Sequence, residues 1–157
     1  MRDNQENLRA SILDKLIDND PEDASESVSS RMVSIREIEA CVKRDIENLL
    51  NTRRTIQMPP ATLNEVNNSL YTYGLRDFTA ENPSSTLVVQ KLRREIAQTI
   101  TFFEPRLKNV VVHLENRGKS RNVHFRIVGT LVIDPLSEPV VFDTLLDPNR
   151  GEFLISR

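Results

Sequence analysis

The chain has 157 residues, 38% of them apolar and 28% charged, with a formal net charge of −2. That length fits one domain plus a tail or an arm, and the absence of net positive charge argues against non-specific nucleic-acid binding, which rests on neutralising phosphates. Cys41 is the only cysteine, so no internal disulfide forms and a disulfide-stapled secreted domain is excluded.

The first residues, Met1 to Glu6, are polar and acidic, and no apolar run follows them as a secretory leader requires. No apolar run approaches the roughly 20 residues of a membrane helix. Both observations predict a cytoplasmic protein that does not insert directly into a membrane. Within residues 8–18, Leu8, Ile12, Leu13, Leu16 and Ile17 share one face at helical spacing. A helix of about three turns is marginal alone and must dock. Residues 19–30 form an acidic, Ser-rich linker with Pro21 as a stop. The predicted division is therefore an arm, 1–30, and a domain, 31–157. The arm either folds back on its own domain or is offered to a partner. On the second reading Ile12, Leu13, Leu16 and Ile17 are partner-binding residues.

Ser34 with Glu37 makes a capping box, and Ile35, Ile38, Val42, Ile46 and Leu49 continue one apolar face, predicting a helix over 34–51. Cys41 lies near that face as a small buried hydrophobe. Pro59 and Pro60 mark a loop. Leu63, Val66 and Leu70 suggest a short helix from Thr62 to Tyr73, ended by Gly74. Ser84 or Ser85 caps a long helix whose stripe is Val89, Leu92, Ile96, Ile100 and Phe103, and Pro105 stops it.

The period then changes. Val110 to Leu114 reads as a strand. Val123 to Ile133 alternates with Phe125, Ile127, Leu131 and Ile133 on one face, and Asp134-Pro135 breaks it. Val140 to Leu146 and Phe153 to Ser156 supply two more strands. N-terminal helices followed by a small antiparallel meander give an α+β fold.

Few residues suggest chemistry. His113 and His124 fall on neighbouring strands without a third ligand at a recognisable spacing, so no metal is expected. Four glycines, none clustered, exclude the common phosphate loops. No G-x-S-x-G occurs, and Cys41 sits mid-helix on an apolar side. No catalytic residue and no cofactor is predicted. Arg117, Lys119, Arg121 and Arg126 surround the first hairpin, but only Phe125 is interleaved, and it points inward. They read as a solvated loop or as a rim for an acidic partner.

The most informative local feature is Glu104-Pro105-Arg106. Glu104 ends a helix, where the macrodipole disfavours a negative charge, and the residue before proline is pushed towards extended backbone. Glu104 and Arg106 then project side by side across a stiff proline. The compensating cation is Arg106 itself, another internal arginine, or a residue on a partner chain. On the partner reading, Glu104, Pro105 and Arg106 form a clamp.

Phe103-Glu104-Pro105-Arg106-Leu107 before a Val-rich strand resembles the lysozyme-like family of contractile-tail baseplate wedge proteins. Three further stretches are similar to its type VI secretion branch, the TssE subunits: Ser11 to Leu16, Arg44 to Arg54, and Tyr73-Gly74-Leu75-Arg76-Asp77-Phe78. Arg76 stands where that resemblance leads one to expect proline. The resemblance implies a sheath-like wedge fold and a structural subunit of the cytoplasmic baseplate, which docks at the inner membrane complex. It implies wedge partners TssF, TssG and TssK, sheath partners TssB and TssC, and a sheet extended by strands from sheath subunits. The EPR motif is carried onto Glu104, Pro105 and Arg106 as a contact with the wedge core or the sheath-like lattice. Charge reversal at Arg106 is then expected to spare the fold and abolish assembly. The enzymatic alternative is a peptidoglycan hydrolase using Glu104 with a second acid. A nucleic-acid or regulatory adaptor using the Arg117–Arg126 hairpin is the third class.

Overall fold

The computed structural model describes residues 35–79, 81, 85–115 and 122–156. The predicted arm, with Ile12, Leu13, Leu16 and Ile17, lies outside the described residues, as do Arg117, Lys119 and Arg121.

Helix α1 spans Ile35–Asn51 and buries Ile38, Val42, Ile46, Leu49 and Leu50, a stripe at helical spacing. Cys41 flanks the stripe and is half-buried. After α1 the chain turns through a long connection held by a single parallel bridge between Arg53 and Leu75. The helix predicted over Thr62 to Tyr73 does not form. One turn, α2 (Asn64–Asn67), and a 3-10 turn, Leu70–Thr72, replace it. The cause is the polar side chains in that stretch, which take the backbone groups a helix would use. Asn67 Nδ2 donates to the carbonyls of Pro60 and Leu63, and Ser69 Oγ donates to Val66 O and accepts from Tyr71 N. Leu63, Val66 and Leu70 consequently stay exposed.

Gly74 has φ +98°, and a Cβ there would run into the Thr52 carbonyl. Glycine is what lets this connection cross the end of α1 so closely. Helix α3 spans Thr86–Phe103 and buries Val89, Leu92, Ile96, Thr99 and Ile100.

Four strands follow: β1 (Leu107–Glu115), β2 (Val123–Ile133), β3 (Leu136–Asp147) and β4 (Glu152–Ser156), in spatial order β1-β2-β3-β4 and antiparallel throughout. β1 and β3 are longer than their hydrophobic runs suggested. β1 begins directly after the EPR corner and contains a bulge between Lys108 and Val111, where Asn109 takes φ +54°. Opposite it, Gly129 leaves space that Leu107 fills, since a Cβ on Gly129 would lie 2.9 Å from Leu107 Cδ1.

The inner sheet face carries Val112, Phe125, Ile127, Leu131, Val140, Phe142, Leu146, Phe153 and Ile155, which join the buried stripes of α1 and α3 in one core. The architecture is two layers, helices against one face of a meander. Deleting one buried branched side chain, as in Ile46→Ala, is expected to cost about 3 kcal/mol. The outer sheet face bears no described helix.

Candidate partner-binding corner and sheet margins

The EPR corner is built where α3 stops. Glu104 is the C-cap of α3, with φ −116° and ψ 82°, and Pro105 forbids a further helical turn. The Glu104 carboxylate is turned inward and is 4% exposed. Arg106 meets it in a bidentate pair: Nε donates to Oε1 at 2.7 Å and Nη2 to Oε2 at 2.6 Å. Arg106 N also donates to Oε1 at 3.2 Å. Of the three cations left open by the sequence, the structure selects Arg106.

Sequence reasoning missed the third member. Arg106 Nη2 also donates to Asp45 Oδ2 at 2.6 Å, and Arg44 holds the other oxygen, Oδ1, at 2.9 Å. The corner is thereby tied to α1. Two carboxylates facing one guanidinium raise the Arg106 pKa well above its ordinary value, with the Glu104 hydrogen bonds as the largest cause. Tyr73 borders the same cluster. Burial, and then the negative charges of Asp45 and Glu104, push its phenol upward. Its ring packs edge-on against Phe103 at 5.1 Å, and Phe103 against Phe102 at 4.7 Å. Outward the corner shows Pro105, Phe102 and part of Arg106.

The polar residues of the Arg44–Arg54 stretch are mostly used inside the fold. Asn51 clamps the outer edge of β4: Nδ2 donates to Phe153 O at 2.9 Å and Oδ1 accepts from Phe153 N at 2.8 Å. One turn earlier on α1, Glu47 accepts from Ile155 N at 3.4 Å. Arg53 donates to Gly151 O and lies over the Phe78 ring, 4.6 Å from its centre. Arg54 reaches Glu95 at 3.5 Å.

Arg76, at the position where proline was expected, has a defined role. Its backbone N donates to Glu95 Oε1 at 3.0 Å and its Nε to Oε2 at 2.6 Å, while Nη1 meets Glu81 at 2.5 Å. Proline could supply none of these donors.

The two sheet margins differ. On β4 the outward N–H and C=O of Phe153 and the N–H of Ile155 are taken by α1. On β1, which has no described strand on its outer side, Arg93 Nη1 donates to the Val112 carbonyl at 3.2 Å. In an antiparallel ladder alternate residues bond inward and outward. Val112 therefore faces away from β2, and Leu114 faces outward with it.

His113 opposes Arg126 and His124 opposes Glu115, and no group of three or more His, Cys, Asp or Glu residues that could hold a metal exists among the described residues. Arg126 donates to Asp143 at 2.9 Å and pairs with Glu115 at 2.7 Å. Phe125 is buried.

The family model described as "Baseplate wedge protein gp25" matches residues 36–136, more than half of the chain. The chain belongs to this baseplate wedge family. The match runs from the first turn of α1 through the EPR corner to the β2–β3 turn, so the corner, its Asp45 anchor and the β1 margin all fall inside the family's span. The baseplate wedge domain is similar to one chain of a solved structure, "The baseplate complex from the type VI secretion system", at 17% identity, with 71% of this chain and 96% of that one covered and a TM-score of 0.49. No curated protein matches.

Proposed function

We propose that this baseplate wedge protein is a non-enzymatic subunit of a type VI secretion baseplate, linking the wedge core to the first ring of the contractile sheath. The observation that carries the reading is the asymmetry of the sheet: β4 is closed by side chains of α1, whereas β1 ends the sheet with outward groups at Leu114. A margin of this kind suits strand addition, in which main-chain hydrogen bonds supply the affinity. The sheath partners TssB and TssC belong on that margin. The wedge proteins TssF, TssG and TssK belong at the corner formed by Glu104, Pro105 and Arg106. There the buried Glu104 acts indirectly, fixing Arg106 and leaving Pro105 and Phe102 as the touching surface.

The hydrolase alternative is disfavoured by the same geometry. A general acid must reach the glycosidic oxygen of its substrate, and the Glu104 carboxylate is 4% exposed with both oxygens held by Arg106. No helix among the described residues is long and apolar enough to cross a membrane, which suits a cytoplasmic baseplate docked at an inner membrane complex.

The experiment is Leu114→Pro, which removes an outward donor from β1 without touching the corner. Expected is a folded protein that co-purifies with wedge proteins but no longer supports sheath polymerisation. Normal sheath assembly by this variant overturns the strand-addition reading. Clearing of a cell-wall suspension by the wild type, lost in Glu104→Gln, overturns the structural one.

A further inference from the structure

The outer sheet face has two unlike halves. Towards Glu115 it is polar, with His113, Arg126 and Asp143 in one cross-strand row. Towards the Asp134-Pro135 turn it is apolar. There Val111, Val128 and Val141 form a row across β1, β2 and β3, with Val111 47% and Val141 45% exposed, and Val132 and Pro139 continue the patch. Beside this half, α1 and β3 enclose a groove of about 640 Å³, with Arg36, Glu39 and Lys43 on one wall and Pro139, Val141 and Asp143 on the other. β4 stops opposite Asp143, so nothing described fills the groove or covers the valines.

We propose that residues 8–18 of this chain seat on the valine row in cis, with residues 19–34 returning along the groove to α1. Three observations favour this occupant. The first is position: the chain enters α1 at Ile35, one residue before Arg36 in the groove wall, so the arm starts beside the apolar half. Residues 19–34 can span up to about 50 Å when extended. The second is shape. A helix over residues 8–18 is about 16 Å long and offers Leu8, Ile12, Leu13, Leu16 and Ile17 along one face. The valine row crosses three strands, about 10 Å, and Val132 and Pro139 lengthen it. The third is charge. Between residues 19 and 30 the linker carries Asp20, Glu22, Asp23 and Glu26 and no base, and its path passes Arg36 and Lys43. Home docking satisfies the apolar face of a helix too short to persist alone. It also covers an apolar sheet face that would otherwise invite association.

The test uses the full chain with Cys41→Ser, carrying Leu16→Cys together with Val128→Cys, and a control with Leu16→Cys and Leu63→Cys. Under mild oxidation at micromolar concentration, an intramolecular disulfide forms in most of the first protein and at least about tenfold less in the control. Equal cross-linking of both, disulfide-linked dimers alone, or a bond seen only after wedge proteins are added overturns home docking. The last two results point to a second copy or a partner as the occupant. A second measurement needs no cysteine. In the otherwise unaltered full chain, Leu13→Asp with Leu16→Asp shifts the methyl resonances of Val111, Val128 and Val141. Unmoved resonances overturn the proposal.

Discussion

Arg106 holds Glu104 through two near-parallel hydrogen bonds of 2.7 and 2.6 Å, and the same guanidinium reaches Asp45, 61 positions earlier in the chain. A buried acid at the C-terminal end of a helix, before a proline, is thereby made tolerable. Its charge is neutralised by a neighbour that the proline keeps in place. The clasp also fastens the start of β1 to α1, so the motif closes the two-layer fold at its corner.

Charge reversal at Arg106 is therefore expected to weaken the fold, where the sequence alone leads one to expect the fold to be spared. Arg106→Ala leaves Glu104 buried without its cation and is expected to cost about 3 kcal/mol, a fall in Tm on the order of 10 °C. Arg106→Glu is expected to cost more, and Arg106→Lys to recover only part, because an ammonium cannot match the bidentate geometry. Asp45→Asn, at a site one-quarter exposed, is expected to cost about 1 kcal/mol. Urea denaturation of the four variants checks the order. An unchanged midpoint for Arg106→Ala would show that the clasp is dispensable.

Asn51→Ala tests the closed margin. It strips both partners from the Phe153 backbone and is expected to cost roughly 2 kcal/mol. Hydrogen exchange at the Phe153 amide should accelerate at least about tenfold, while amides in the centre of β2 keep their protection. Asn51→Asp keeps the acceptor and loses the donor, so its effect should be intermediate. Equal protection of Phe153 in all three proteins would mean that α1 does not seal β4.

Much of this fold is legible in the sequence, because the two long helices and β2 carry strong single-period patterns. Ile38, Val42 and Ile46 recur at helical spacing, and Phe125 and Ile127 alternate along a strand. The connection from Thr52 to Thr79 is not legible, since its shape is set by distant side chains. Arg76 means little until Glu95, on helix α3, stands beside it. Asn67 and Ser69 override the apolar spacing of Leu63, Val66 and Leu70 through local hydrogen bonds. The corner is half legible. Glu104 and Arg106 are two residues apart, so their pairing follows from backbone geometry, whereas Asp45 joins them only through packing. Asn51 looks like a helix end, and nothing local in its sequence announces that it clamps β4.

Arg76→Pro examines the departure from the expected proline. The change removes a backbone donor and a guanidinium from Glu95, whose side chain is 13% exposed. The loss is expected to be about 2 kcal/mol, and Arg76→Lys should fall between it and the wild type. Thermal unfolding measures it. A protein that gains stability from proline would mean that rigidity of the Tyr73-Gly74-Leu75 turn outweighs the Glu95 contacts.

The phenol of Tyr73 gives the corner a spectroscopic reporter. Burial, and then the negative charges of Asp45 and Glu104, raise its folded pKa above 10.0. The unfolded chain lacks that environment and releases the proton earlier. Stability tied to this group is therefore fully present below about pH 10 and is lost as pH rises from there through the folded value. Only two tyrosines exist, so Tyr71→Phe isolates Tyr73 in an ultraviolet titration, where its ionisation should lag that of the urea-unfolded chain. Tyr73→Phe should flatten the decline of stability above pH 10 and leave the neutral region unaffected by ionisation. Adding Asp45→Asn to Tyr71→Phe should bring the titration of Tyr73 back towards 10, because one of the two charges opposing its ionisation is gone. A titration of Tyr73 that ignores Asp45 would place the phenol outside the field of the corner.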